Sequence, residues 1–248
     1  MGKLLLPLLL LMQLFAAKGV LIPFYHYPHH FDFSVEQLID LKKKHPRVEF
    51  IVIINPDNGY VKKLESNFAE AIRQLSSNGL ITIGYLHTSY GTRPLEESVK
   101  NVKRWAQYYK RFGISGIFVD EVNCTDGDYY KKLAEAIKEE FRLVVANPGV
   151  RCQEEPKWSD IVVVHENCCY PAVDNEGKEN EAVLVYDSKK LELDTLSSYG
   201  YIYVTDHNGS NPWEKLSSHL PQILQSIELQ FQKDLNKKRV KLQVQSHE

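Results

Sequence analysis

The sequence predicts a single α/β domain folded as a (β/α)8 barrel of the TIM type. Three observations carry that expectation. Eight short apolar or β-branched runs alternate with helical patterns along 248 residues. Most of these runs are nearly continuous in apolar residues, as strands of a parallel sheet buried on both faces are. Setting aside a short leader leaves about 230 residues, the length of one large domain of this kind. A doubly wound open sheet would show fewer strands and a glycine-rich first turn, and no GxGxxG follows the first run.

The elements follow in order. Residues 20–25 form the first run, and Val35, Leu38, Ile39 and Leu41 give the amphipathic segment after it. Residues 49–55 form the second. The spacing of Phe68, Ala71, Ile72 and Leu75 then predicts a helix closed by Gly79 as a C-cap glycine. After the third run, 81–88, helical spacing returns in Val99, Val102, Trp105, Ala106, Tyr109 and Phe112. The fourth run, 116–121, precedes Tyr129, Tyr130, Leu133, Ala134 and Ile137, again at helical spacing. Crossovers after the fifth and sixth runs, 142–147 and 160–166, are weak: 154–159 has room for one turn, and 171–180 reads as loop. Between the seventh run, 182–187, and the eighth, 201–206, Leu191, Leu196 and Tyr199 predict a modest helix. Leu220, Ile223, Leu224, Ile227 and Phe231 predict a strong final helix that starts or kinks at Pro221. The barrel domain is thus expected over 20–235, and 236–248 reads as a frayed polar tail.

Residues 1–19 read as an address. Lys3 precedes an apolar run at 4–17 broken only by Pro7 and Gln13, and Ala17-Lys18-Gly19 supplies a small-x-small cleavage pattern. That is the make-up of a secretory signal peptide, cut after Gly19. The run is shorter than the roughly 20 residues a bilayer requires; an uncleaved anchor is the alternative. A secreted, extracellular protein, free of the membrane after cleavage, is the expectation. Hydrophobic residues make up 43% and charged residues 25%, which excludes a disordered or coiled-coil chain. With 30 Lys+Arg against 32 Asp+Glu the net charge is −2, so no nucleic-acid partner is expected.

Secretion changes how the cysteines read. Cys124, Cys152, Cys168 and Cys169 are an even set, which implies disulfides in an oxidising compartment. Cys168 and Cys169 are adjacent, so the expectation is two bridges joining them to Cys124 and Cys152, with the partners unassigned. A zinc site lacks CxxC spacing. Asn123-Cys124-Thr125 and Asn208-Gly209-Ser210 are N-glycosylation sequons.

In such a barrel the active site lies at the C-terminal ends of the strands. The runs end in Tyr25-His26-Tyr27, Asn55-Pro56-Asp57, His87-Thr88, Asp120-Glu121, Asn147-Pro148, His165-Glu166, Tyr186-Asp187 and Thr205-Asp206. Buried carboxylates are costly unless partnered, so several on one rim suggest a shared function. Asp120, Glu121 and Glu166 are the catalytic candidates, because glycoside hydrolysis needs two carboxyl groups across the scissile bond. For any one of them, capping a helix or binding a loop amide is the more economical reading; for three together it is less so. His26, His29, His30, His87 and His165 could surround a metal, but surface or supporting roles explain them more simply, and neither a metal nor another cofactor is expected. No GxSxG elbow is present to serve a Ser–His–Asp triad.

Several segments resemble the spherulin-4 (spherulation-specific family 4) proteins. They are VLIPFYHYP at 20–28, IINP at 53–56, GYLHTSYGTR at 84–93, GIFVDE at 116–121, Asn147-Pro148-Gly149, VVHE at 163–166 and Tyr203-Val204-Thr205-Asp206. The likeness spans roughly 20–210. It implies a TIM barrel and an activity. The family includes glycoside hydrolases that cut α-1,4-linked N-acetylgalactosamine runs in galactosaminogalactan, a microbial exopolysaccharide. Its acidic trio maps onto Asp120, Glu121 and Glu166. The chain departs from the family after Asn55-Pro56, where Asp57-Asn58-Gly59-Tyr60 stands in place of a Gly-Pro-containing loop. The expected roles are Glu121 as acid/base, Glu166 as nucleophile or stabiliser, and Asp120 as the group orienting Glu121, with Asp120 as nucleophile the alternative. Expected polysaccharide contacts are Tyr25, Tyr27, Asn55, Tyr85, His87, Tyr90, Arg93, Asn147 and Asp206. Tyr25 and Tyr27 lie two apart, so on a strand they would share a face. A carbohydrate-binding protein without turnover and a structural coat protein are the rival functions.

Overall fold

The computed structural model describes residues 19–29, 33–172 and 177–245, with side chains described up to residue 232. The expected signal peptide at 1–19, apart from Gly19, lies outside the described residues, as do His30 and residues 246–248.

Eight parallel strands close a barrel in chain order. They are β1 (Gly19–Phe24), β2 (Glu49–Ile54), β3 (Ile81–His87), β4 (Ile114–Asp120), β5 (Leu143–Asn147), β6 (Ile161–Asn167), β7 (Glu181–Val185) and β8 (Tyr201–Val204). Every residue of β1 and β7 is buried, as is all of β2 beyond Glu49. Barrel side chains on one face and helix packing on the other leave no polar face, which is why these strands read as unbroken apolar runs. The helices α1 (Phe33–Lys44), α2 (Ser66–Ser77), α3 (Leu95–Tyr109) and α4 (Gly127–Glu140) are the crossovers between the first five strands, and α5 (Leu220–Gln245) follows the last strand. α2 shows how sequence sets an end. Phe68, Ala71, Ile72 and Leu75 are buried on one stripe. Gly79 then takes φ +81°, and the Gly79 and Leu80 N–H groups donate to the Ser76 and Leu75 carbonyls. That is the Schellman closure, in which a glycine adopts the left-handed conformation.

Most strand ends fall within two residues of the expected runs, and three differences bear on the domain's outline. The segment before β8 forms only a short 3-10 turn at Leu193–Leu196, because Leu196 and Tyr199 alone among the expected apolar positions are fully buried, too little to hold a longer helix. Backbone helix continues through 236–245, past the expected boundary at 235. That stretch lacks an apolar period but is rich in Lys, Arg, Gln and Leu, all good helix formers. β1 begins at Gly19, one residue earlier than the run suggested. Among the described residues no helix lies between β5 and β6 or between β6 and β7, and none is long and apolar enough to cross a membrane.

Candidate active site

The strands carry their polar ends to one rim, and there the carboxylates meet. Asp120 ends β4, directly beside His87 of β3 and Asn147 of β5 in the strand register. The Tyr85 hydroxyl donates to Asp120 Oδ2 at 2.6 Å. Asn147 Nδ2 donates both to Asp120 Oδ1 and to Glu166 Oε2, each at 2.6 Å. An amide nitrogen carries two N–H donors, so one serves each carboxyl. The amide is held in that orientation from behind, because Asn147 Oδ1 accepts the Gly149 N–H at 3.0 Å. The bridged oxygens are therefore no farther apart than twice 2.6 Å. Retaining glycosidases hold their carboxyl groups about 5–5.5 Å apart and inverting ones about 6.5–9.5 Å; this pair fits the shorter class.

Glu121 stands next to this pair on strained backbone. Its φ is +54°, a left-handed value unusual for a residue with a side chain. The conformation is over-determined by its carbonyl, which accepts from the Tyr90 N–H at 2.9 Å, Thr88 Oγ1 at 2.8 Å and the Tyr130 hydroxyl at 3.3 Å. Asp57, Asn58, Ser89, Tyr90 and Asp187 also have positive φ, and all lie just past the C-terminal ends of β2, β3 or β7. Backbone strain thus gathers on the rim that carries the carboxylates.

Burial sets the electrostatics. It raises Asp120 above the ordinary aspartate value, against the opposing hydrogen bonds from Tyr85, the Glu121 backbone and Asn147. Burial, followed by the Asp120 charge, pushes Glu166 up to about 7, while hydrogen bonds from Asn147 and Trp213 act the other way. Burial and then the Asp120 charge hold the Tyr25 hydroxyl well above its usual range. Near neutral pH the site can thus keep a proton on Glu166, with Asp120, raised by burial but held by three hydrogen bonds, beside it. That is the division of labour acid/base chemistry requires.

The structure gathers some expected contact residues and disperses others. Tyr25 packs edge-on to Tyr85, with ring centroids 5.4 Å apart, and both interact with the acidic group. Tyr27 does not share a face with Tyr25, because β1 ends at Phe24; its ring packs instead against Phe68 of α2. Asn55 Oδ1 is buried without a hydrogen-bond partner, and a buried acceptor in that state calls for a donor from solvent or ligand. The His87 ring nitrogen Nδ1 bonds the Asn58 carbonyl at 3.2 Å. Tyr90 is exposed. Arg93 is buried, donates to the His87 carbonyl and lies 4.9 Å from the Tyr60 ring, so it braces loops. Asp206 accepts from the Ser218 N–H in a loop beyond β8. Of the sequons, Asn208 is exposed and Asn123 half-buried, its Oδ1 already accepting from Thr125. Sequence reasoning missed Trp213, which is buried, hydrogen-bonds Glu166 and packs edge-on to Tyr186. Its one signal was a tryptophan in the loop past the last strand, on the side where loops face the rim.

The disulfide expectation is corrected. Cys124 bonds Cys152, joining the loop after β4 to the loop after β5, and Cys168 and Cys169 are free and exposed. Adjacent strands bring their loop tips together, so the two loop cysteines meet each other first. Among the described residues no group of three or more His, Cys, Asp or Glu is placed to hold a metal ion.

Comparison with known proteins follows the same lines. Residues 19–227 match the sequence model of spherulation-specific family 4, Spherulin4. Spherulin-4 of Physarum polycephalum is 31% identical over 109 residues, covering 42% of this chain and 32% of that protein, so the match spans about a third of that relative's length. The crystal structure of Aspergillus clavatus Sph3 in complex with GalNAc superposes with a TM-score of 0.74 at 19% identity, over 86% of this chain and 98% of that one. A GH18 chitinase from Pseudoalteromonas aurantia superposes with a TM-score of 0.54 at 12% identity, over 84% of this chain and 98% of that one. Both are likenesses of fold alone.

Proposed function

Because the chain belongs to spherulation-specific family 4, we propose that it is a secreted glycoside hydrolase, endo-acting on polysaccharide of α-1,4-linked N-acetylgalactosamine or galactosamine. The observation that carries this reading is the pair Asp120 and Glu166 held on a single Asn147 amide at the barrel rim. The GalNAc in the Sph3 complex supports the sugar class, and the disulfide fits an oxidising, extracellular setting.

The geometry favours a different division of roles from the first one read in the sequence. Glu166, raised to about 7, is the proton donor. Asp120, held by Tyr85, Asn147 and the Glu121 N–H, is the nucleophile. In an α-linked residue the 2-acetamido group lies cis to the leaving oxygen and cannot attack from the far face, so a protein carboxylate or an activated water must, and the short carboxyl separation favours the carboxylate. Glu166 protonates the glycosidic oxygen as Asp120 attacks the anomeric carbon, and a glycosyl–enzyme ester forms. The Glu166 carboxylate then takes a proton from water, which attacks the same carbon and frees Asp120. Glu121 is left to accept a hydrogen bond from a sugar hydroxyl or nitrogen, and the unpartnered Asn55 Oδ1 is a second acceptor.

The test is reducing-end release from galactosaminogalactan by the mature protein, beside Asp120→Asn, Glu121→Gln and Glu166→Gln. Asp120→Asn and Glu166→Gln are each expected to lower kcat by about 100-fold or more with the fold intact by circular dichroism. The first-formed product is the α-anomer, and kcat/KM falls as pH rises through about 7. Binding to the polymer without release would move the protein to the non-catalytic reading. A β-anomer appearing first would overturn retention.

A further inference from the structure

The chain has four cysteines. With Cys124 bonded to Cys152, Cys168 and Cys169 have no other cysteine in the chain than each other. Their sulfurs lie 3.7 Å apart and both side chains are exposed. The pair sits between fixed points. On one side the Glu166 N–H donates to the Gly149 carbonyl and the Tyr186 N–H to the Asn167 carbonyl, each at 3.0 Å. On the other, the Tyr170 hydroxyl donates to the Lys190 carbonyl at 2.8 Å and accepts from the Glu192 N–H at 3.1 Å. Asn167 Oδ1 accepts from both the N–H and the sulfur of Cys168, and the His165 ring donates to the Cys169 carbonyl at 2.6 Å. Two exposed thiols are thus held face to face at the end of β6, two and three residues beyond Glu166.

We propose that Cys168 and Cys169 form a redox-responsive vicinal pair, a modification site whose reagent is a low-molecular-weight disulfide, and that its closure reshapes the cleft lip beside Glu166. The Cys168 thiolate attacks the reagent disulfide; a bond forms between the two sulfurs and one reagent thiolate leaves. The Cys169 thiolate then attacks the Cys168 sulfur and expels the second. Two protons go to solvent, the cysteine pair loses two electrons, and the reagent disulfide gains them. The small ring that results includes the peptide bond between the two cysteines, so the backbone of this dipeptide must turn. The anchors at Asn167 and Tyr170 confine that turn to the lip. Closure therefore changes substrate contact and leaves the Asp120–Asn147–Glu166 bridge in place.

The full-length protein is equilibrated in mixtures of oxidised and reduced glutathione. Thiols are then counted with a maleimide and mapped in an unreduced digest. The expected result is that both thiols disappear together, with the loss of two hydrogens inside one peptide and the bridge from Cys124 to Cys152 unchanged. Cys169→Ser is expected to stop at a stable glutathione adduct on Cys168. Two thiols that persist in excess oxidised glutathione would overturn the proposal. So would a glutathione adduct as the wild-type end point, or a dimer through these residues. The consequence for the cleft rests on the glycosidase reading and is measured separately: KM is expected to differ about threefold or more between the two forms, with kcat unchanged. Equal KM in both forms, or a change in kcat alone, would overturn the effect on the lip. A protein with no hydrolysis at all sinks the glycosidase reading and leaves the thiol count standing.

Discussion

Glu166 carries a stability cost that follows from its position. An ordinary glutamate titrates at 4.5, and burial beside Asp120 moves this one up to about 7. Below 4.5 both folded and unfolded chains bind the proton. As pH rises from there to 7, the unfolded chain releases it freely while the folded chain must hold it, so stability is lost across that window and the loss is complete above 7. Glu166→Gln removes the titration and keeps an acceptor for a neighbouring N–H. Relative to wild type, the variant is expected to gain about 5 °C in Tm at pH 8 over its effect at pH 4. Thermal denaturation at the two pH values measures this; an equal effect at both would show that Glu166 does not titrate between them. The acidic trio was legible because strand ends expose what a barrel rim holds, and Asp120, Glu121 and Glu166 each end an apolar run. The strain at Glu121 was not, since its φ of +54° is imposed by Thr88, Tyr90 and Tyr130 acting on its carbonyl from elsewhere in the fold. Nor was the bridge: Asn147 read as a sugar contact, and only register between β4 and β5 places it against Asp120.

Elements hold these side chains by close approach. On β3, Gly84 lies under Trp105 of α3, and a Cβ added there would stand 2.5 Å from the indole. Trp105 is fully buried, and its Nε1–H donates to the Tyr85 carbonyl at 3.0 Å. The helix thereby fixes the residue that donates to Asp120. Gly84→Ala is expected to destabilise the protein by about 1–3 kcal/mol through overpacking and to lower kcat by moving Tyr85. Denaturant unfolding and the hydrolysis assay read the two effects, and an unchanged midpoint would show that Trp105 can yield. The loop after β2 works in the same way. Gly59 has φ +76°, and a Cβ on it would stand 2.6 Å from Tyr85 atoms. Asp57 and Asn58 before it are also left-handed, at φ 49° and 53°. Asx residues tolerate that region best after glycine, which gives Asp57-Asn58-Gly59 a physical reason where a Gly-Pro loop was expected. Helices with a dense apolar stripe, such as α2 and α4, were plain in the sequence. The turn at Leu193–Leu196 and the helical 236–245 were not, since one has too few buried residues for its pattern and the other is helical backbone without an apolar period in its sequence.

At the scale of the whole molecule, the eight strands were legible because burial on both faces writes a continuous apolar run, but the exact start of the barrel was not. The closing seam is thin. Among the described residues β1 pairs with β2 along six residues and with β8 through two, Gly19 with Tyr201 and Val20 with Ile202. Gly19 also donates its N–H to the Gly200 carbonyl at 2.9 Å. A side chain could not sit there, because a Cβ would stand 2.5 Å from the Glu49 carbonyl oxygen. Leader cleavage after Gly19, as the small-x-small pattern suggested, would remove one of the two β1–β8 residue pairs found among the described residues. A mature chain that keeps Gly19 is therefore expected, cut at or before Lys18. N-terminal sequencing of protein recovered from the culture medium of expressing cells checks the position. A chain beginning at Val20 is expected to melt about 2–4 °C below one beginning at Gly19, the loss of roughly one backbone hydrogen bond worth about 1 kcal/mol. A natural N-terminus at Val20 with no difference in Tm would show that the seam closes through Val20 and Ile202 alone.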